Sequence, residues 1–202
     1  IVFGDWSSDV CSSDLKIAFY AVRRALMPVK LILRSVDDQI VVMGCNDTAQ
    51  PVTIELETGW IRFDGREKRA STMTATLPPH SREVMTRFAS AGPMTGGIRY
   101  ARPVSQGSDL TMIPALLLEK PYRELDLCRP EVAIVREQDD GPDLLVTVRA
   151  ETFTPGVWLD ADADLHLSDN YFDLLPGETR TVRIGGGAGR SFGVRSVEVD
   201  AE

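Results

Sequence analysis

From Pro28 onward nearly every apolar run in the chain is short, rich in β-branched residues and closed by a turn signal. That pattern confines the fold to one built from strands. Residues 29–36 and 39–45 are β-branched and apolar, separated by Asp37-Asp38. Thr53, Glu55 and Glu57 alternate with Ile54, Leu56 and later Trp60, the period of two that marks a half-buried strand. Residues 73–77 and 83–88 follow around a Pro78-Pro79 turn. A looser stretch over 89–107, broken by Gly92-Pro93, Gly96-Gly97, Pro103 and Gly107, reads as the end of one unit and the lead into another. The second half repeats this texture, with strands expected over 116–120, 131–136, 143–150, 157–160, 179–184 and 194–199.

Residues 16–27, before the strands, read as a helix. Phe19, Val22 and Leu26 share one stripe, and Arg23 and Arg24 lie off it. Pro28 ends the helix, because proline disfavours the helical state of its predecessor. The two arginines suit the negative pole of the helix dipole. A helix this short is marginal alone and needs a surface to pack on. Residues 1–15 have neither period: Ser7-Ser8-Asp9 recurs as Ser12-Ser13-Asp14. The stretch resembles translated sequencing-adapter read-through and is set aside from fold reasoning; the alternative is a genuine loop.

With 202 residues the chain can hold two units of about a hundred residues, each able to bury a modest core. Leu77-Pro78-Pro79-His80-Ser81-Arg82-Glu83-Val84 aligns without a gap on Leu175-Pro176-Gly177-Glu178-Thr179-Arg180-Thr181-Val182, an offset of 98 residues (175 minus 77). Both segments place a proline turn before a late strand, and the offset is the size of one immunoglobulin-like domain. The expected fold is all-β: two consecutive immunoglobulin-like β-sandwich domains, 29–105 and 106–202, preceded by one short α-helix within 16–28.

Composition removes several functions. The net charge of −8 disfavours nucleic acid and anionic membrane surfaces as partners. No apolar run approaches the roughly 20 residues that span a bilayer. Cys11, Cys45 and Cys128 are odd in number and widely spaced, so free thiols are expected, with no zinc site or disulfide framework.

No catalytic, cofactor-binding or metal-binding residue is assigned. Asp160, Asp162 and Asp164 open like a calcium loop, but an EF-hand starting there needs glycine at Leu165 and glutamate at Tyr171. A looser surface calcium site is the alternative to a solvated loop. Gly185-Gly186-Gly187-Ala188-Gly189-Arg190 lacks the GK[ST] ending and the helix that would cradle phosphate, and reads as a hairpin loop. His80 and His166 do not pair as ligands, and His166 with Ser168 and Asp169 forms no triad by mere proximity. Trp60, Trp158, Tyr171 and Phe172 offer aromatic faces on which a sugar ring stacks. The competing reading is core packing.

Trp158-Leu159-Asp160, followed by Leu167-Ser168-Asp169-Asn170-Tyr171-Phe172-Asp173-Leu174-Leu175-Pro176-Gly177-Glu178, closely resembles the C-terminal domain of glycoside hydrolase family 2 β-mannosidases. There a V-W-L-D strand precedes an S-D-N-Y-F-D-L-L-P-G-E turn. Tyr20-Ala21-Val22-Arg23-Arg24-Ala25-Leu26-Met27-Pro28-Val29 is similar to the family's junction between the last barrel helix and the next sandwich. Lys16-Ile17 stands where the family often has Lys-Pro. Asn46-Asp47 and Phe63-Asp64-Gly65 sit where the penultimate sandwich has similar turns.

The resemblance spans roughly 16–184. It implies a parent enzyme that removes terminal β-D-mannose from non-reducing ends with retention, using two glutamates in a (β/α)₈ barrel. In relatives the acid/base glutamate follows an asparagine. Asn46 and Asn170, the only asparagines here, precede Asp47 and Tyr171, so neither glutamate carries over. A retaining pair must sit about 5–5.5 Å apart in one pocket. The implied role is a non-catalytic accessory fragment. Its partner is the parent's barrel within one polypeptide, and it needs no cofactor. A carbohydrate-binding module for mannosides and the tail of an exo-β-glucosaminidase are the alternatives. The sequence assigns no compartment.

Overall fold

The computed structural model describes residues 17–90, 96–104, 112–161 and 165–197, apart from the side chain of Arg123. Residues 1–15 and the Asp162 and Asp164 of the candidate calcium loop fall outside that set.

Helix α1 (Ile17–Ala25) is followed at once by strands. β1 (Val29–Val36) and β2 (Gln39–Asn46) form a hairpin across Asp37-Asp38. Both turn residues are left-handed, at φ 47° and 58°. A two-residue loop of this kind needs positive φ at both positions, and aspartate is among the few side chains that tolerate it. β3 (Val52–Arg62), β4 (Lys68–Leu77), β5 (Ser81–Ala89), β6 (Gly97–Pro103) and β7 (Ala115–Leu117) complete the first sandwich. Its antiparallel sheets run β1-β2-β5 and β4-β3-β6-β7. The core between them is built from Val29, Leu31, Ile40, Val42, Ile54, Leu56 and Leu77.

The second sandwich uses β8 (Val132–Asp140), β9 (Asp143–Ala150), β10 (Thr154–Asp160), β11 (His166–Leu167), β12 (Phe172–Leu174), β13 (Thr179–Gly185) and β14 (Gly193–Arg195). Its sheets run β11-β13-β9-β8 and β12-β10-β14. Val146, Val148, Val157, Leu159, Phe172, Val182 and Ile184 fill the space between them. The all-β architecture of paired sheets behind one short helix is therefore as expected. No helix among the described residues is long and apolar enough to cross a membrane.

Two features were hidden in the sequence. The stretch expected to be loose contains β6, a central strand hydrogen-bonded to β3 on one side and β7 on the other. Its glycine is structural: a Cβ on Gly97 would lie 2.4 Å from the Trp60 ring and 2.5 Å from the Ile61 carbonyl oxygen. Glycine inside a strand marks such a close approach. The division expected between 105 and 106 lies outside the described residues, and β7, beyond it, still pairs with the first sandwich.

The two proline turns are not copies. Gly177 has φ 75°, and the Glu178 amide donates to the Leu175 carbonyl at 3.0 Å, the geometry of a type II turn. At the other turn the left-handed residue is His80, φ 50°, one position later in the alignment.

The sandwiches share a third apolar cluster. Ile61, Phe63, Ile98 and Tyr100 from the first meet Phe153 and Leu175 from the second. The Phe63 and Phe153 rings lie 5.3 Å apart, and the Phe153 amide donates to the Phe63 carbonyl at 2.8 Å. A Cβ on Gly65 would meet Pro176 at 2.9 Å, so the Phe63-Asp64-Gly65 and Pro176-Gly177 turns pack directly together.

Candidate functional site

The conspicuous polar constellation gathers where α1 meets the second sandwich. The helix carries two faces. Tyr20, 4% exposed, enters the second sandwich's core, and Arg24, one turn on, reaches the same side. Arg24 Nη1 donates to Asp169 Oδ1 at 2.6 Å and to the Asn170 carbonyl at 3.0 Å, and Nη2 donates to the Tyr171 carbonyl at 2.9 Å. Asp169 Oδ2 accepts from Arg180 Nη1 at 3.2 Å, and Arg180 Nη2 donates to Glu178 at 3.3 Å. The Arg180 guanidinium also lies 4.6 Å from the centroid of the Phe172 ring.

The turn held by Arg24 is strained. Tyr171 has φ 54°, a left-handed conformation that costs an L-residue with a bulky side chain about 1–2 kcal/mol. Its carbonyl is tied to Arg24, and its ring lies 6.1 Å from Trp158 and 5.9 Å from Tyr20. Asn170, 6% exposed, spends its side chain on the backbone of β10. Its Oδ1 accepts from the Leu159 amide at 2.9 Å, and its Nδ2 faces the Leu159 carbonyl at 3.4 Å. The Ser168–Tyr171 stretch that carries the family resemblance is thus a structural joint.

Between α1 and the two sandwiches lies a cleft of about 800 Å³. Asp169, Glu178 and Arg180 form one wall, and Glu57 and Arg102 stand on the other. Glu57 Oε1 accepts from Tyr100 at 2.8 Å and from Arg102 Nε at 2.9 Å, and Oε2 accepts from Lys68 at 2.8 Å. Burial pushes the Glu57 carboxyl up. Hydrogen bonds from Lys68 and Tyr100 and the charges of Arg102 and Lys68 outweigh it and hold the group below its ordinary value. A general acid needs the opposite shift. The Tyr100 hydroxyl is pushed well above its ordinary value, first by burial and then by its bond to the Glu57 carboxylate.

The other residues singled out in the sequence stay apart from this cleft or serve packing. Trp60 is 8% exposed and lies over Gly97. Phe172 is 2% exposed in the core, and Trp158 is half-buried beside Tyr171. Asp160 pairs with Arg195 at 2.6 Å. In the glycine loop the Gly186 amide donates to Asp143 at 3.1 Å and the Gly189 amide faces Asp139 at 3.4 Å, so amides a phosphate would need are turned to carboxylates. His80 is exposed at a turn and His166 is exposed in β11, far from it in the fold's second sandwich. Asn46, fully buried, donates to the Gln50, Leu77 and Pro78 carbonyls. Cys45 is buried and Cys128 half-buried, both free thiols; Cys11 lies outside the described residues. No metal-ligating group of three side chains occurs among the described residues.

Sequence reasoning missed Arg24, Asp169, Glu57 and Arg102 as a set. The one available signal was Arg24 lying off the helix's apolar stripe, beside the Ser-Asp-Asn wording far along the chain.

Residues 127–195 match the family model Ig_mannosidase, an Ig-fold domain. No curated protein sequence matches the chain. A crystal structure of a β-D-mannosidase from Dictyoglomus thermophilum superposes with a TM-score of 0.78 at 16% identity, covering 91% of this chain and 23% of that one. An exo-chitosanase of Amycolatopsis orientalis superposes with a TM-score of 0.54 at 17% identity, covering 90% and 26%. The chain thus spans about a quarter of the length of these structures, and at such identities the likeness is one of fold. The family match and the shared fold agree with the resemblance read from the sequence, to the C-terminal region of a family 2 glycoside hydrolase.

Proposed function

We propose that this chain is a non-catalytic C-terminal accessory part of a β-mannosidase, whose parent hydrolyses terminal non-reducing β-D-mannose residues with retention. The observation that carries the reading is the Ig_mannosidase match over 127–195, with the Ser168–Glu178 wording at its centre. The physical role follows from α1. One face is fastened to the second sandwich by Tyr20 and Arg24. The other leaves Ile17, Phe19, Val22 and Leu26 between 40% and 74% exposed. An apolar stripe on so short a helix is stable when covered, and the preceding barrel of the parent is the partner that would cover it. Hydrolysis belongs to that barrel.

The test is turnover of an aryl β-mannoside by the purified chain. None is expected; turnover abolished by substituting one carboxylate would overturn the proposal. A second reading, the tail of an exo-β-glucosaminidase, draws on the likeness to the exo-chitosanase fold. The Tyr171–Glu178 wording favours the mannosidase parent. A carbohydrate-binding role finds little aromatic surface, since Trp60 and Phe172 are buried and Tyr171 lies between Trp158 and Tyr20. Titration with manno-oligosaccharides, followed by tryptophan fluorescence, should stay flat.

A further inference from the structure

Among the described residues, the lining of the cleft between α1 and the two sandwiches has a charge balance opposite to that of the chain. Across its lining stand Arg23, Arg24, Arg102 and Arg180 against Glu57, Asp169 and Glu178, in a protein whose net charge is −8. Most of these groups are committed to one another. Arg24 is spent on Asp169 and two carbonyls, and Arg180 on Asp169 and Glu178. Two guanidiniums are not exhausted. Among the described residues Arg102 bonds Glu57 through Nε, with Cζ 5.5 Å from the Tyr100 centroid, and its Nη groups have no partner there. Arg23 stands exposed on the lining, with no ion-pair partner among the described residues.

We propose that this cleft is a binding site for a small oxyanion, a carboxylate or phosphate group, held between Arg23 and the Nη groups of Arg102. Guanidinium presents paired donors that match a carboxylate or phosphate edge, and a partly enclosed wall strengthens each charge-assisted bond. The Glu57 carboxylate has a second effect: it keeps Arg102 in place, so the ligand meets one donor already oriented. A neutral sugar gains nothing from the surplus charge. The site takes an acidic sugar or a phosphorylated one through the same group, and the inference stands on the cleft alone, independent of the parent enzyme's reaction.

The experiment is titration of the full 202-residue chain with inorganic phosphate, D-glucuronate and D-mannose, followed by amide chemical shifts. Saturable shifts are expected around Arg23, Arg102 and Thr179 with both anions, weakening as salt rises, and none with mannose. Arg23→Gln alters an exposed side chain and should weaken anion binding about tenfold without changing the thermal midpoint; Arg102→Gln should do the same and additionally lower that midpoint. Response to glucuronate alone assigns a sugar acid, and response to both anions assigns the oxyanion itself. Absence of saturation with both anions, saturation with phosphate alone, equal shifts with mannose, or anion binding indifferent to Arg23→Gln would each overturn the proposal.

Discussion

Arg24 and Asp169 stand 145 positions apart in the chain and meet at 2.6 Å, with side chains only 22% and 16% exposed. The contact fastens α1 to the sandwich farther from it in sequence. Asp169 also receives Arg180, so one carboxylate is shared by two guanidiniums. Such an arrangement stabilises because each charge is met at short range and the carbonyls of Asn170 and Tyr171 take two further donors.

Replacing Arg24 removes three bonds and leaves a strained turn without its tie. Arg24→Ala is expected to cost about 2–3 kcal/mol, short of the value for a fully buried pair because both partners keep some solvent. Arg24→Lys should recover only part, since an ammonium cannot reproduce a fork that reaches three acceptors. Hydrogen exchange across 17–25 is the direct readout. Unchanged protection there would show that Tyr20 alone holds the helix.

Phe153 is fully buried where the sandwiches join, against Phe63 and Leu175. Phe153→Ala should cost about 3–5 kcal/mol. Because the lost contacts lie between the units, one cooperative urea transition should split into two, which fluorescence and circular dichroism followed together would reveal. A single transition merely shifted to lower urea would place the coupling elsewhere.

Gly97→Ala tests the close approach that makes β6 a strand. The added methyl would collide with the Trp60 ring at 2.4 Å and the Ile61 carbonyl at 2.5 Å. One of the colliding atoms is backbone and cannot turn aside. A loss of about 2 kcal/mol or more is expected in chemical denaturation, together with a changed Trp60 environment.

Stability should fall at both pH extremes for separate reasons. Glu57 is held below its ordinary value in the folded chain, so its contribution is present above the unfolded value of about 4.3 and is lost as pH drops through the folded one. Tyr100 and Tyr122 are pushed upward, each by burial first and then by the carboxylate it bonds, Glu57 or Asp173. Their contribution is complete below the unfolded value of about 10 and is lost as pH rises beyond it. Thermal midpoints against pH should therefore bend at both ends. Glu57→Gln should soften the acid limb, and Tyr122→Phe the alkaline one only slightly, because solvent reaches the Tyr122 ring.

Much of the fold could be read from local pattern. The sequence predicts the strands over 143–150 and 29–36 with the bounds they have, because short apolar, β-branched runs closed by turn residues leave little freedom. β6 escaped because Gly97 and Pro103 are turn formers by composition, and only contact with Trp60 explains the glycine. Phe19, Val22 and Leu26 form one helix face, as their spacing predicts, yet it is the face left exposed. Tyr20 and Arg24, the pair that docks, carried no periodic signal of their own. The cleft was equally invisible, since Glu57 looked like one more polar residue on an alternating strand.

By itself the sequence determined the class of fold, the turn at Pro176-Gly177 and the likeness to a mannosidase tail, because these rest on interactions between near neighbours or on an unbroken run of wording. Long-range packing settles which sandwich α1 joins, which carboxylates meet which arginines, and where the aromatic faces are spent. Those outcomes depend on groups brought together across the chain. Charge and shape at such meetings are set by packing, and no local period encodes them.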